Sequence, residues 1–170
     1  MFTLLTKANR AGAADGMDLR LEGTAGGMSP RPRLEPVTPP TPPTPPGSAL
    51  QRPCPCGSGE TYDACCGRLH RGAAPAATAE ELMRSRYSAD AVGDLDHLFR
   101  TWHPRTRPAD LTPDPDLRWT GLTVADAGED WVEFVASYER GGRAGELRER
   151  SRFEQRAGRW VYVDGEVDPG

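Results

Sequence analysis

The run Val132-Glu-Phe-Val-Ala-Ser-Tyr-Glu139 sets the fold class. Val132, Phe134, Ala136 and Tyr138 alternate with Glu133, Ser137 and Glu139. A period of two is the mark of a strand with one buried face. Upstream, Leu117 to Asp126 repeats the alternation but changes phase: Leu117 and Trp119 come first, then Leu122 and Val124. Gly121 stands at the switch, which predicts a β-bulge and a bent strand. Downstream, residues 147–155 place Leu147, Glu149, Ser151 and Phe153 on one face and arginines on the other. Trp160-Val-Tyr-Val163 is apolar on both faces, which predicts a strand well inside the sheet. Turns are expected at Gly128, Gly141-Gly142 and Gly158.

Before these strands the pattern is helical. Thr78-Ala-Glu-Glu81 reads as a capping box opening a helix that passes Tyr87 and Val92 and stops at Gly93. Asp94 caps a second helix with Leu95, Leu98, Phe99 and Trp102 on one side, and Pro104 ends it. A loop rich in Pro, Asp and Thr fills 104–116. Two helices followed by a four-stranded antiparallel meander is an α+β layout. The helices are expected on the concave side of the bent sheet.

All four cysteines of the 170-residue chain lie in Cys54-Pro-Cys56-Gly-Ser-Gly-Glu-Thr-Tyr-Asp-Ala-Cys65-Cys66-Gly67. Thiolates spaced C-x-C and then C-C, with a Gly-Ser-Gly turn between, can converge on one tetrahedral zinc ion. Gly57 and Gly59 suit the positive φ of a tight turn, with N–H groups free to face the thiolates. The competing readings are a disulfide or a redox dithiol. Adjacent Cys65 and Cys66 are poorly placed to bridge each other, and the start MFTLLTKANRAGAADG lacks the apolar run of a signal peptide. A redox pair would more naturally be C-x-x-C in a βαβ setting. Four thiolates leave zinc no open position, so the metal is expected to be a staple that does no chemistry, one ion per chain. His70, four residues beyond Cys66, is either an alternative fourth ligand or a solvated histidine; four sulfurs already suffice.

Cys54, Cys56, Gly57, Ser58, Gly59, Tyr62, Cys65, Cys66 and Gly67 resemble the SEC-C motif, the zinc module at the end of the SecA translocase motor and of many other bacterial proteins. In SecA the last ligand is a histidine; here that place is Cys66. The resemblance implies zinc binding and docking to a protein partner. It does not extend to a motor, because no G-x-x-x-x-G-K-[ST] loop occurs and Lys7 is the only lysine. A second resemblance covers residues 53–165. Leu82-Met-Arg-Ser-Arg-Tyr87, Thr101-Trp-His-Pro104, Leu117-Arg-Trp-Thr120, Glu149-Arg-Ser-Arg-Phe153 and Trp160-Val-Tyr-Val-Asp-Gly165 are similar to the YchJ-type family. Its members join an SEC-C motif to a domain resembling nuclear transport factor 2, a cone of curved sheet and helices. That family is largely uncharacterised, so the resemblance implies a fold more than an activity.

Three segments follow: 1–50, a proline-rich tail expected to be disordered; 51–72, the zinc knuckle; 76–166, the α+β domain. Thr38-Pro-Pro-Thr-Pro-Pro-Thr-Pro-Pro46 suits polyproline II, as a spacer or as a ligand for an SH3-like groove. Met17 and Met28 are alternative starting points. Net charge is +1, +1 and −6 over residues 1–50, 51–72 and 73–170. An acidic globular part argues against general nucleic-acid binding, which needs a basic stripe. No apolar run is long enough to span a membrane, and a cytoplasmic location is expected.

Within the cone, polar residues that interrupt the apolar pattern mark the candidate pocket. Arg86, Tyr87, Trp102, Trp119 and Ser151 are expected to line it. Glu149 and His103 are the candidate acid–base pair of a small-molecule lyase or isomerase. The structural alternative pairs Glu149 with Arg86 or Arg84 and has the His103 ring capping a helix end. The preferred function is a non-enzymatic adaptor, with a partner docked through the knuckle or a small ligand held in the cone.

Overall fold

A computed structural model describes residues 52–168. The expected tail, 1–50, lies outside the described residues. The order is α1 (Cys66–His70), α2 (Ala79–Val92), α3 (Leu95–Arg100), β1 (Leu117–Ala127), β2 (Trp131–Arg140), β3 (Arg143–Arg156) and β4 (Arg159–Asp168). The strands form one antiparallel sheet in the order β1-β2-β3-β4. The α+β class, the two helices before the meander and the turns at the named glycines all hold. The register of β1 on β2 shifts between Trp119 and Gly121, where the phase change places a bulge.

The alternation decides the core. Val132, Phe134 and Ala136 of β2 and Leu147 and Phe153 of β3 turn the same way, onto Leu82, Met83 and Tyr87 of α2. Thr78 caps α2 through Glu81 N→Thr78 Oγ1 at 3.1 Å, and the Glu81 carboxylate accepts from Ala77 N at 2.6 Å. Gly93, at φ 79°, closes α2 in the left-handed conformation.

Two sequence expectations need correcting. Trp160–Val163 lies in β4, an edge strand, and not inside the sheet. Its apolar residues are covered by chain rather than by another strand of the meander. Tyr162 N donates to Thr101 O at 2.9 Å, His103 N donates to Tyr162 O at 2.7 Å, and Trp102 bridges Tyr162 in parallel. This short pairing blunts the edge. For the same reason α3 stops at Arg100, Trp102 belongs to the extended segment, and Phe99 is 42% exposed with the Arg107 guanidinium over its ring.

The knuckle is docked on α2 along a polar stripe. Glu81 pairs with Arg68, and Arg84 donates to Cys56 O at 3.1 Å. His70 Nε2 meets Ser85 O at 2.9 Å, and Ser88 Oγ lies 3.5 Å from Cys54 Sγ. The helical spacing of residues 81, 84, 85 and 88 puts all four on one face. His70 is therefore buried, not solvated. Both its ring nitrogens are taken, Nδ1 by the Tyr62 hydroxyl at 2.7 Å and Nε2 by the Ser85 carbonyl. Because a carbonyl only accepts, Nε2 carries the proton and Nδ1 accepts from Tyr62. His97 stacks on it at 4.5 Å between centroids. The Ser85 hydroxyl donates to Leu82 O, so it accepts from His97 Nε2–H at 3.0 Å, while His97 Nδ1 accepts from Arg100. Both imidazoles are neutral.

Burial, then the neighbouring His70 and Arg100, pushes His97 down to about 2. The unfolded chain thus binds a proton that the fold refuses, and stability falls as pH drops below the ordinary histidine value of about 6.5. Replacing His97 by Gln should flatten the loss of stability between about pH 6.5 and 5, above most carboxylate titrations. Urea unfolding of both proteins across that window measures the difference. Contributions of Asp90, pushed up to about 6 by burial and therefore opposite in sign, are common to both.

Candidate functional site

The knuckle brings its four sulfurs together by a tight turn. Gly57 and Gly59 have φ 73° and 83°, a region open to glycine. The Gly57 N–H goes to Cys54 O at 3.2 Å rather than to a thiolate. Gly67 is required by close approach instead: a Cβ there would lie 2.7 Å from Tyr62 O. The Sγ atoms of Cys54, Cys56, Cys65 and Cys66 all lie within 4.8 Å of one another, and none is in a disulfide. Cys56 and Cys65 sulfurs are 3.6 Å apart, and those of Cys65 and Cys66 are 3.8 Å apart. A tetrahedral ion with Zn–S bonds of about 2.3 Å sets its ligands about 3.8 Å apart, so the donor set fits zinc.

The electrostatics of the cluster agree. Hydrogen bonds from Cys56 and then Cys66 pull Cys54 well below the usual thiol range. Cys66 is driven far above it by its bonds to Cys54 and Cys56 and then by burial. Burial leads in lifting Cys65 to about 11. Four sulfurs this close cannot all ionise without a cation among them. His70 lies outside this four-sulfur cluster, with both ring nitrogens hydrogen-bonded elsewhere.

The candidate cone residues divide into two groups. Arg86, Tyr87, Trp102, Ser151 and Glu149 are buried, and Trp119 is half-buried. Arg86 NH1 donates to Leu98 O at 2.8 Å and to Thr101 Oγ1 at 2.6 Å. Its guanidinium lies 4.8 Å from the Tyr162 ring and 5.1 Å from the Trp102 ring. Burial pulls it down to about 9, which leaves it charged at neutral pH. Ser151 Oγ donates to Glu149 Oε1 at 2.6 Å, and the Tyr162 hydroxyl donates to the same oxygen at 3.4 Å. Tyr162 thus touches both Arg86 and Glu149. Arg84, the other expected partner of Glu149, is turned outward to Glu80 and Cys56 O.

His103 belongs elsewhere. Its Nε2 lies 3.2 Å from Glu154 Oε1, and its Nδ1 accepts from Arg105 N at 3.1 Å. Strand alternation sets Glu154 on the opposite face of β3 from Glu149. The acid–base pair expected from sequence is not assembled, and the His103 ring serves a loop rather than a helix end. The parallel pairing of residues 101–103 with β4 is what carries His103 to this side.

Sequence reasoning missed Asp90, His97, Ser85, Ser88 and Tyr162. Asp90 follows Arg86 by one helical turn and accepts a hydrogen bond from Trp119, so the i, i+4 spacing held a usable signal. A cleft of about 340 Å³ lies between residues 69–76 and the β3–β4 turn, outside the cone face. Leu69, Leu82, His97, Arg100, Arg159 and Trp160 are among its lining, and no acidic side chain is.

A family model described as YchJ, middle NTF2-like domain matches residues 78–165, and one for the SEC-C motif matches residues 53–68. A UPF0225 protein of Streptomyces coelicolor is 56% identical over 121 residues, covering 67% of this chain and 94% of the relative. One from Cupriavidus pinatubonensis is 55% identical over 130 residues, covering 70% and 91%. Among solved structures, a SEC-C motif containing protein from Rhodopseudomonas palustris superposes with TM-score 0.60 at 37% identity, covering 68% of this chain and 98% of that one. Another, from Psychrobacter arcticus, gives TM-score 0.56 at 23% identity over 72% and 86%, a likeness of fold alone.

Gly165 gives the Glu149 carboxylate its room: a Cβ there would stand 2.2 Å from Glu149 Oε1 and 2.6 Å from its Cδ. Gly165→Ala should therefore displace a buried carboxylate and cost about 1–3 kcal/mol, as overpacking does. Chemical denaturation reads the loss, and a variant as stable as the parent would contradict this packing.

Proposed function

The chain belongs to the UPF0225 family of YchJ type, with a SEC-C motif ahead of an NTF2-like domain, and from that premise we propose a non-enzymatic binding module stapled by zinc. Cys54, Cys56, Cys65 and Cys66 would hold the ion. Bound there, zinc supplies folding energy to a segment too small to have a core of its own. Four sulfur donors leave no position for water or substrate, so the metal is structural.

The observation that carries the reading is the place of His103, against Glu154 on the face of β3 opposite to Glu149. Among the described residues the carboxylate and imidazole expected to work together do not meet in the cone. The lyase or isomerase alternative loses the pair on which it was built. What remains suits binding. The inner face of the knuckle is spent on α2, whereas residues 57–61 are exposed and form a surface for a protein partner. The cleft beside the β3–β4 turn, with arginines and no carboxylate in its lining, suits a small anionic ligand. Among the described residues no helix is long and apolar enough to cross a membrane. Unbridged thiols suit a reducing compartment, in keeping with the cytoplasm.

Two measurements test the reading. Protein purified under reducing conditions should contain about one zinc per chain, with a sulfur-only shell at about 2.3 Å by X-ray absorption. Metal-free protein would end the staple. Glu149→Gln should lower stability more than it alters any turnover. Equal stability, together with loss of a metabolite's conversion, would make Glu149 a catalytic base and overturn the non-enzymatic reading.

A further inference from the structure

Ser88 is on α2, in the NTF2-like domain, yet its hydroxyl points at the knuckle. The residue is 0% exposed, and its Oγ lies 3.5 Å from Cys54 Sγ. That is the hydroxyl's only hydrogen bond among the described residues. A helical serine commonly returns its proton to a carbonyl one turn back, and Ser85 on the same helix does so, to Leu82 O at 2.8 Å. Ser88 does not. A buried hydroxyl needs an acceptor, and a neutral thiol is a weak one. A sulfur bearing negative charge is a much better acceptor, since hydrogen bonds to ionised groups are about twice as strong. The side chain is therefore placed to serve Cys54 as a thiolate, the form in which a cysteine binds metal.

We propose that Ser88 is a positioning residue of the metal site, its O–H donating to the metal-bound sulfur of Cys54. The inference rests on the reading of the four cysteines as metal ligands. It adds that the site is completed by a residue outside the motif, so metal retention depends on the knuckle being seated on α2. Arg84, one turn earlier on the same face, supports the seating by donating to Cys56 O at 3.1 Å. Within the knuckle, Ser58 Oγ plays the matching part for Cys65 Sγ at 3.3 Å. Partners of this outer kind orient ligands and set affinity, and their loss typically weakens binding about 10–100-fold.

The test uses the full chain with cobalt(II) as a spectroscopic stand-in and with zinc in competition against a chromophoric chelator. Ser88→Ala should weaken zinc retention at least about tenfold and shift the sulfur-to-cobalt charge-transfer band. Ser88→Thr, which keeps the hydroxyl, should restore both toward the parent. In excess chelator the parent and Ser88→Ala should melt alike, because the hydroxyl acts through the metal-bound sulfur; a purely structural serine would lower the metal-free midpoint too. Unchanged retention and an unchanged band in Ser88→Ala would overturn the assignment while leaving the cysteine site intact. Failure of the parent chain to take up cobalt or zinc would overturn the metal site itself and this inference with it.

Discussion

Four thiols crowded within 4.8 Å are the constraint on which the rest depends. Sulfurs that close repel one another when ionised and satisfy one another poorly when neutral. A divalent cation would resolve the conflict, and on the reading proposed above it would close the Cys54–Cys66 loop into a cap. The cap is then seated on α2 by Arg68, His70, the Cys56 carbonyl and the Cys54 sulfur, each meeting a partner on one face of the helix. The opposite face of α2 meets the sheet through Leu82, Met83 and Tyr87. One helix thus serves two layers, with the knuckle seated on one face and the sheet on the other.

That double duty also explains what could be read in the sequence. Strand alternation is a local signal, and Val132, Phe134, Leu147, Glu149 and Ser151 fell on the buried face it named. The bulge at Gly121 and the capping box at Thr78 are local too. The cysteine cluster was legible because its four sulfurs come from one short loop. The polar stripe of α2 was not. Glu81, Arg84, Ser85 and Ser88 look like an ordinary solvated helix face until a second element is known to cover them. His70 looked solvated for the same reason. Trp160–Val163 was placed inside the sheet because burial on two faces resembles a central strand, whereas here residues 101–103 supply the cover. Long-range pairing of this kind leaves no periodic trace.

The same pairing bears on function. By drawing His103 to Glu154, it separates the one imidazole that sequence placed near the cone from the carboxylate it was to serve. Glu149 keeps company with Ser151 and Tyr162, and Tyr162 lies against the Arg86 guanidinium. Such an interior surrounds its charged groups with aromatic and hydroxyl contacts. A binding role is the reading these contacts favour, with the exposed Gly57–Thr61 loop as the surface that metal would hold in shape.

The most direct measurement is amide hydrogen exchange along Ala79–Val92 before and after zinc is stripped with chelator. If metal closes the knuckle and the knuckle seats on α2, removal should speed exchange in the helix, most around residues 81–88, while β2 and β3 stay protected. Protection of α2 that is the same with and without metal would contradict a staple joining the two parts.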